Sequence, residues 1–200
     1  MIENNILKVK ISLIGNSGVG KTSIISKFIK DDFSEHSNST KGAQYSNKKI
    51  KVGDKLIEMD LWDTSGQEMY ISLCRNFFKN SHIVILVYDI TNKDSFEDMK
   101  NIWYNELLEY GEEYNILAIV GNKNDLYEKE EVSEYEGLNF AKEKNCLFML
   151  VSAKNGNNIN NLFNKLINDY LKNNYKNKDT DSFKIRNRDY NPHNSINLCC

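Results

Sequence analysis

Residues 15–22 read Gly-Asn-Ser-Gly-Val-Gly-Lys-Thr, the pattern G-x-x-x-x-G-K-[ST], directly after the apolar residues Ile11, Leu13 and Ile14. An apolar strand that empties into this loop and then into a helix constrains the fold to an α/β layout with an anion seat at the strand end. Glycine lets the backbone wrap around phosphates, and the amides of Ser17, Gly18, Val19, Gly20 and the following helix start point inward. Lys21 supplies positive charge, Thr22 offers an oxygen to Mg²⁺, and Ser23 continues the turn. The competing reading, a glycine-rich turn with no ligand, does not explain the Lys-Thr pair at its end.

Apolar, β-branched runs recur at Leu7 to Ile14, Ile50 to Val52, Leu56 to Trp62, Ile83 to Ile90, Ile116 to Val120 and Leu147 to Val151. Stretches of helical spacing lie between the later ones, as in Phe96, Met99, Trp103, Leu107 and then Tyr135, Leu138, Ala141. Strands alternating with helices predict a mostly parallel sheet covered on both faces. Only Gly53-Asp54 separates the runs at Ile50 and Leu56, so these form a hairpin and place one antiparallel strand at an edge. A last helix is expected from about Ile159 to Leu171, with Leu162, Phe163, Leu166 and Ile167 on its apolar side. Trp103 is expected to pack its helix onto the sheet.

A second constellation, Trp62-Asp63-Thr64-Ser65-Gly66-Gln67-Glu68, closes the Leu56 strand. Loops beyond the carboxyl ends of parallel strands share one crevice, so this segment and the Lys21 loop can face one ligand. Asp63 is then the acid for Mg²⁺, which prefers one or two carboxylates plus phosphate oxygens to a full protein cage. Gly66 allows close backbone approach to a terminal phosphate, and Gln67 can orient a water for in-line attack. The competing reading, a surface turn, is the weaker one even for the segment alone, and weaker still beside the phosphate loop.

The third pair is Asn122-Lys123-Asn124-Asp125 after the Ile116 strand and Ser152-Ala153-Lys154 after the Leu147 strand. A carboxylate at Asp125 can accept two hydrogen bonds from a ring with adjacent N–H and NH₂ donors, which guanine has and adenine lacks. Lys123 would cover the purine face, Asn122 would tie the loops together, and the Ala153 backbone would meet the base oxygen. On spacing alone each tetrapeptide reads as a solvated turn. Their order behind the first two motifs is what gives them weight.

Composition narrows the partners. The 200 residues carry a formal net charge of -2, so no global basic field recruits nucleic acid. No run of 18 apolar residues occurs, and Met1 to Lys10 lacks the charged leader and greasy stretch of a secretory signal. Cys74 and Cys146 read as ordinary buried thiols of a reducing compartment. His36, His82 and His193 show no metal-ligand spacing. Glu128, Glu130, Glu131, Glu134 and Glu136 read as a solvated face.

With these pieces assembled, the chain resembles the Ras superfamily of small GTPases, and among them the Rab branch. The resemblance rests on GNSGVGKTS at 15–23, Thr40 and Gly42, WDTSGQE at 62–68, GNKNDL at 121–126, SAKNG at 152–156 and the terminal Cys199-Cys200. It covers about residues 6–173. It implies a P-loop G domain over 1–173, with six strands and five helices, that binds GTP or GDP with Mg²⁺ and hydrolyses GTP slowly to act as a switch in vesicle traffic. Lys21, Thr40, Gly66 and Gln67 match catalytic positions, and Thr22, Thr40 and Asp63 match the metal positions. Thr40 matches the family residue that meets Mg²⁺ and the γ-phosphate only in the GTP state. Phe33 matches the aromatic that packs on guanine, and Tyr45, Trp62 and Phe77 match an aromatic triad read by effectors. The implied partners are an exchange factor, a GTPase-activating protein, effectors, a prenylation escort and a GDP-dissociation inhibitor, around a monomeric G domain.

Several positions depart from that pattern. Lys41 stands where Ile is usual and swaps an apolar effector contact for a charge. Ser65 and Met69 replace the usual Ala and Arg around Gln67, and Leu150-Val151 replace Glu-Thr before Ser152. The run Tyr88 to Asn92 and Ser17 look more like the endosomal Rab subgroup than like Ras itself.

From 174 to 200 the chain is expected to be a flexible hypervariable tail. Its bases Lys176, Lys178, Lys184, Arg186 and Arg188 barely outnumber Asp179, Asp181 and Asp189, too few to hold a membrane by charge alone. The Rab-like body implies geranylgeranylation of Cys199 and Cys200, and two such chains suit a lasting anchor on the cytosolic face of an endomembrane. A metabolic enzyme driven by GTP would need a second substrate pocket, which the motifs do not supply. A catalytically inactive guanine-nucleotide-binding module would be expected to lose Lys21, Thr22 or Gln67, and all three are present.

Overall fold

The structure, a computed structural model, describes residues 6–34, 43–64, 71–111, 114 and 116–188, without the side chains of 71–74 and 175–188. The strands are β1 (Leu7–Ile14), β2 (Ala43–Val52), β3 (Lys55–Thr64), β4 (Ile83–Asp89), β5 (Ile116–Asn122) and β6 (Leu147–Leu150). They form one sheet in the order β2-β3-β1-β4-β5-β6. Every pairing is parallel except β2 with β3, which are joined by the tight turn at Gly53-Asp54. All five parallel strands therefore end on the same edge of the sheet, and that edge carries the motif loops.

The α-helices are α1 (Lys21–Lys30), α2 (Ile71–Phe78), α3 (Lys93–Asp98), α4 (Tyr104–Tyr110), α5 (Glu134–Glu143) and α6 (Ile159–Arg188). Six helices replace the expected five because α3 and α4 are separate segments of one rod, joined by a π-helical turn at Met99–Trp103. A short 3₁₀ turn spans Asn124–Lys129.

Strand β4 explains why the sheet is covered on both sides. Its seven residues Ile-Val-Ile-Leu-Val-Tyr-Asp are all buried, and their side chains alternate between two cores. Ile83, Ile85 and Val87 join Val9, Ile11 and Leu13 under α1 and α6. Val84, Leu86 and Tyr88 face the rod and α5, where Trp103 and Leu107 are buried. A strand greasy on both faces is the signature of a parallel sheet interior. On the first face Phe28 of α1 stacks on Phe163 of α6, ring centroids 3.8 Å apart. Truncating either ring to Ala would cost about 3–5 kcal/mol, the ordinary penalty for an aromatic void in a packed core.

Two element boundaries and one buried face differ from the sequence reading. Strand β2 starts at Ala43 rather than Ile50, because the polar segment Gln44 to Lys49 is held by pairing with β3 and not by its own apolar content. Helix α6 runs to Arg188 rather than Leu171. Its buried stripe, Ile159, Leu162, Phe163, Leu166, Ile167, Tyr170 and Leu171, does end at Leu171. Apolar periodicity reports where a helix touches a core, and α6 continues beyond that contact. In α5, Tyr135 lies in solvent at 72% exposure, and Gly137 and Ala141 form the buried face.

Helix α5 owes its start to a capping box. Ser133 Oγ accepts from the Glu136 amide, and the Glu136 carboxylate accepts from the Ser133 amide at 2.9 Å. Glu136 also pairs with Lys93 of α3, and that ammonium together with the Ser133 donors holds its carboxyl down at about 2. Glu131 accepts the Lys93 amide at 2.9 Å. Two members of the acidic face thus pin α5 and the loop before it to the rod. Cys146 is half-buried, and burial pushes its thiol up to about 11, consistent with an inert structural cysteine.

Candidate functional site

Three of the sheet's ends supply the phosphate side. Gly15 leaves β1 with φ 145°, and a Cβ there would lie 2.2 Å from the Val87 carbonyl oxygen on β4. Gly20, in left-handed backbone at φ 95°, caps α1, and a Cβ would lie 2.3 Å from Asn122 Nδ2. No side chain caps this helix start, so its first amides face the cradle instead of a capping oxygen. Lys21 is buried, and its Nζ donates to the carbonyls of Gly15 at 2.7 Å and Asn16 at 2.8 Å. That places the ammonium inside the curl of the loop. Ser17 and Gly18 are exposed at its rim, Val19 is buried beneath it, and Ser23 is half-buried on α1.

Strand β3 brings Asp63 to this loop. Parallel register sets Leu13 beside Asp63, and Thr64 Oγ1 locks that register by donating to the Leu13 carbonyl at 2.7 Å. Thr22 Oγ1 donates to Asp63 Oδ2 at 2.6 Å. One hydroxyl oxygen and one buried carboxylate meeting beside the phosphate cradle is the donor set that fits Mg²⁺, whose remaining positions go to phosphate and water. The metal pair expected from sequence is therefore together. Its expected third member, Thr40, lies outside the described residues, as do Gly66 and Gln67.

Strands β5 and β6 supply the other side. The Asn122 side chain is buried and spans both halves, with Nδ2 donating to the Val19 carbonyl at 2.8 Å and Oδ1 accepting from the Ala153 amide at 3.1 Å. Ser152 Oγ donates to Asp125 Oδ1 at 2.5 Å. The amide of Asn124 reaches the Val151 carbonyl at 3.1 Å, which joins the two loops through backbone as well. Leu150-Val151 in place of the usual pair predict altered loop support more than altered base recognition; the Val151 backbone still joins the two loops. Lys154 is exposed, and Phe33 is half-buried against the core beside α1.

The structure adds to the site Asp89, which the motifs did not place there. Lys123 stands in left-handed backbone at φ 68°, and its Nζ pairs with Asp89 Oδ2 at 2.6 Å. Asp89 ends β4 and also accepts from the Thr91 amide and hydroxyl. The available signal was an acid at a strand end on the site edge. Tyr45, Trp62 and Phe77 form a continuous aromatic surface, with centroids 5.3 Å apart for the first pair and 5.6 Å for the second. Tyr45 is 51% exposed and donates to Asp60 Oδ1. Lys41, Ser65 and Met69 lie outside the described residues.

A phosphate-wrapping loop, a hydroxyl–carboxylate pair and a carboxylate-bearing base loop on one edge of this sheet define a P-loop nucleotide-binding domain. The family model described as "Ras family" matches residues 10–172. The chain is 38% identical over 185 residues to Ras-related protein Rab-11B of Dictyostelium discoideum, covering 92% of this chain and 83% of that protein. It is 38% identical over 156 residues to human Ras-related protein Rab-22A, covering 78% and 80%, and 37% identical over 163 residues to Ras-related protein Rab5A of Oryza sativa subsp. japonica, covering 82% and 80%. The chain belongs to the Ras family and to its Rab branch, the GTP-hydrolysing small GTPases of membrane trafficking.

Proposed function

We propose that this chain holds GTP or GDP with Mg²⁺ and uses the difference between them to recruit effectors at an endomembrane. The observation that carries the reading is the double use of Asn122, which fastens the phosphate loop to the loops of Asp125 and Ala153 in one crevice. Lys21 and the α1 amides would bind the phosphates. Asp125, held by Ser152, would accept from the guanine edge, and the Ala153 amide lies beside the base position. Bound Mg²⁺ would neutralise phosphate charge, with Thr22 and Asp63 as its protein oxygens and Thr40 added in the GTP form. Gln67 would orient the attacking water. With no arginine placed to meet the developing charge among the described site residues, a partner supplies it, an effect worth about 10³–10⁵ in the handful of GTPases where it is known.

Thr40 and Gly66 lie in segments that a γ-phosphate would order, and the Tyr45–Trp62–Phe77 surface would serve as the effector platform. Lys41 biases that platform toward an acidic partner residue. Residues 174–200 would serve as the tether, with Cys199 and Cys200 prenylated, and the subgroup resemblance points to an endosomal membrane. No helix among the described residues is long and apolar enough to cross a membrane.

Competition titration with GTP, GDP and ATP tests the nucleotide reading, and comparable ATP and GTP affinity would sink it. Single-turnover hydrolysis tests the chemistry: Gln67→Leu slows it while GTP binding stays, and an unchanged rate would remove Gln67 from the mechanism. Replacing both terminal cysteines with Ser should release the protein from membranes without loss of GTP binding.

A further inference from the structure

Asn16, the second residue of the phosphate loop, has both ends of its side-chain amide engaged by the α3–α4 rod. Its Nδ2 donates to Asp98 Oδ2 at 2.6 Å, and its Oδ1 accepts from the indole Nε1–H of Trp103 at 2.5 Å. Donor facing carboxylate and acceptor facing N–H leaves one orientation of the amide. The same residue's main-chain carbonyl, with that of Gly15, takes the Lys21 ammonium. Asn16 therefore links a buried tryptophan to the charge that faces the phosphates.

The rod is shaped for this contact. Asp98 and Trp103 are five residues apart, which in a regular α-helix puts them about 140° apart around the axis, on different faces. Between them the rod is π-helical over Met99–Trp103, and the Tyr104 amide bonds to the Met99 carbonyl, a spacing of five. Widening the turn to that spacing swings Asp98 and Trp103 onto one face, toward the loop. Such turns are strained relative to α-helix and are frequent at functional sites. Packing alone would fill the Trp103 pocket without aiming its N–H at a loop 87 residues earlier in the chain.

We propose that Asp98 and Trp103 are positioning residues for the phosphate loop, acting through Asn16 to keep the Gly15 and Asn16 carbonyls on Lys21. The proposal rests on the nucleotide reading above. A loop held in shape before the ligand arrives has less conformational freedom to lose on binding, and the benefit falls on the phosphates that Lys21 meets, not on the base.

The test compares GDP with GMP, which lacks the β-phosphate, by competition titration on the full chain. Trp103→Phe keeps an aromatic ring, smaller than the indole, and removes the N–H, and Asn16→Ala removes the amide. Trp103→Phe should weaken GDP about fivefold, the loss of one hydrogen bond, Asn16→Ala, which loses two, should weaken it at least as much, and both should leave GMP unmoved. The double variant should be no weaker than Asn16→Ala alone, because the Trp103 bond is already lost with the amide. Of the chain's two tryptophans, the indole N–H resonance lost in Trp103→Phe should also shift in Asn16→Ala. GDP and GMP falling together, unchanged GDP affinity, or additive losses in the double variant would each overturn the proposal. If Trp103→Phe does not fold, Asn16→Ala and Asp98→Asn carry the same comparison. A wild-type chain with no preference for guanine would sink the nucleotide reading and not this one, since ATP against AMP then reads out the same link.

Discussion

Ser152 and Asp125, 27 positions apart on consecutive loops, share a hydrogen bond of 2.5 Å from hydroxyl to carboxylate Oδ1. It holds the carboxylate by one oxygen, in the position that a guanine edge would use. Asp125→Asn turns an acceptor into a donor facing the ring donors, and GTP affinity should fall by several kcal/mol, about a hundredfold or more, while weak ATP binding stays as it was. Ser152→Ala removes the support only and should cost about 1 kcal/mol. Titration of both variants with both nucleotides checks the order.

The glycines of the phosphate loop should separate by neighbour. Gly18 has φ 79° with open space where a Cβ would go, so Gly18→Ala carries only the left-handed backbone penalty of about 1–2 kcal/mol. At Gly20 the added methyl must also displace Asn122 Nδ2, which breaks the bond to Val19. Gly20→Ala should therefore lose far more GDP affinity than Gly18→Ala. Equal losses would show that backbone strain alone decides.

Tyr88 carries the opposite kind of burden. Its hydroxyl is buried without a hydrogen-bond partner among the described residues, between the backbones of Gly121 and Gly137, and burial drives its pKa well above the ordinary phenol value. Tyr88→Phe removes an unsatisfied polar atom and keeps the ring contact with Phe96. The variant should be about 1 kcal/mol more stable, seen as a higher urea midpoint at unchanged slope.

A pH effect follows from His82. Its Nδ1 accepts the Lys10 amide at 2.9 Å, which only an imidazole unprotonated at that nitrogen can do, and its ring meets Tyr170 of α6 edge-on. Burial and the Lys10 ammonium lower its pKa, against a smaller opposing pull from Asp60. A lowered histidine pKa means that the unfolded chain takes up the proton first. The contribution is whole above about pH 6.5 and is lost as the pH falls from there through the folded-state pKa. Melting temperature should drop as the pH falls below about 6.5, and His82→Asn, which offers an acceptor that does not titrate, should flatten that part of the profile.

The parallel sheet, the edge hairpin and the pairing of Thr22 with Asp63 were legible because they depend on local pattern and on strands that end together. The start of β2 was not, since Gln44 to Lys49 are polar and owe their conformation to a neighbouring strand. Nor was the length of α6, whose sequence past Leu171 carries no apolar period to read. The Asn16–Asp98–Trp103 link escaped for another reason. Its partners are distant in sequence, and the register that joins them comes from a π-helical turn, for which Met-Lys-Asn-Ile-Trp carries no local sign.

Asn122 has one more consequence. A ligand with two chemically different ends would usually be let go end by end, each half rebinding before the other leaves. Here a single amide ties Val19 to Ala153, so opening either loop loosens the other. Departure of such a ligand should then be a concerted event, and prying at one end should be enough to hasten it.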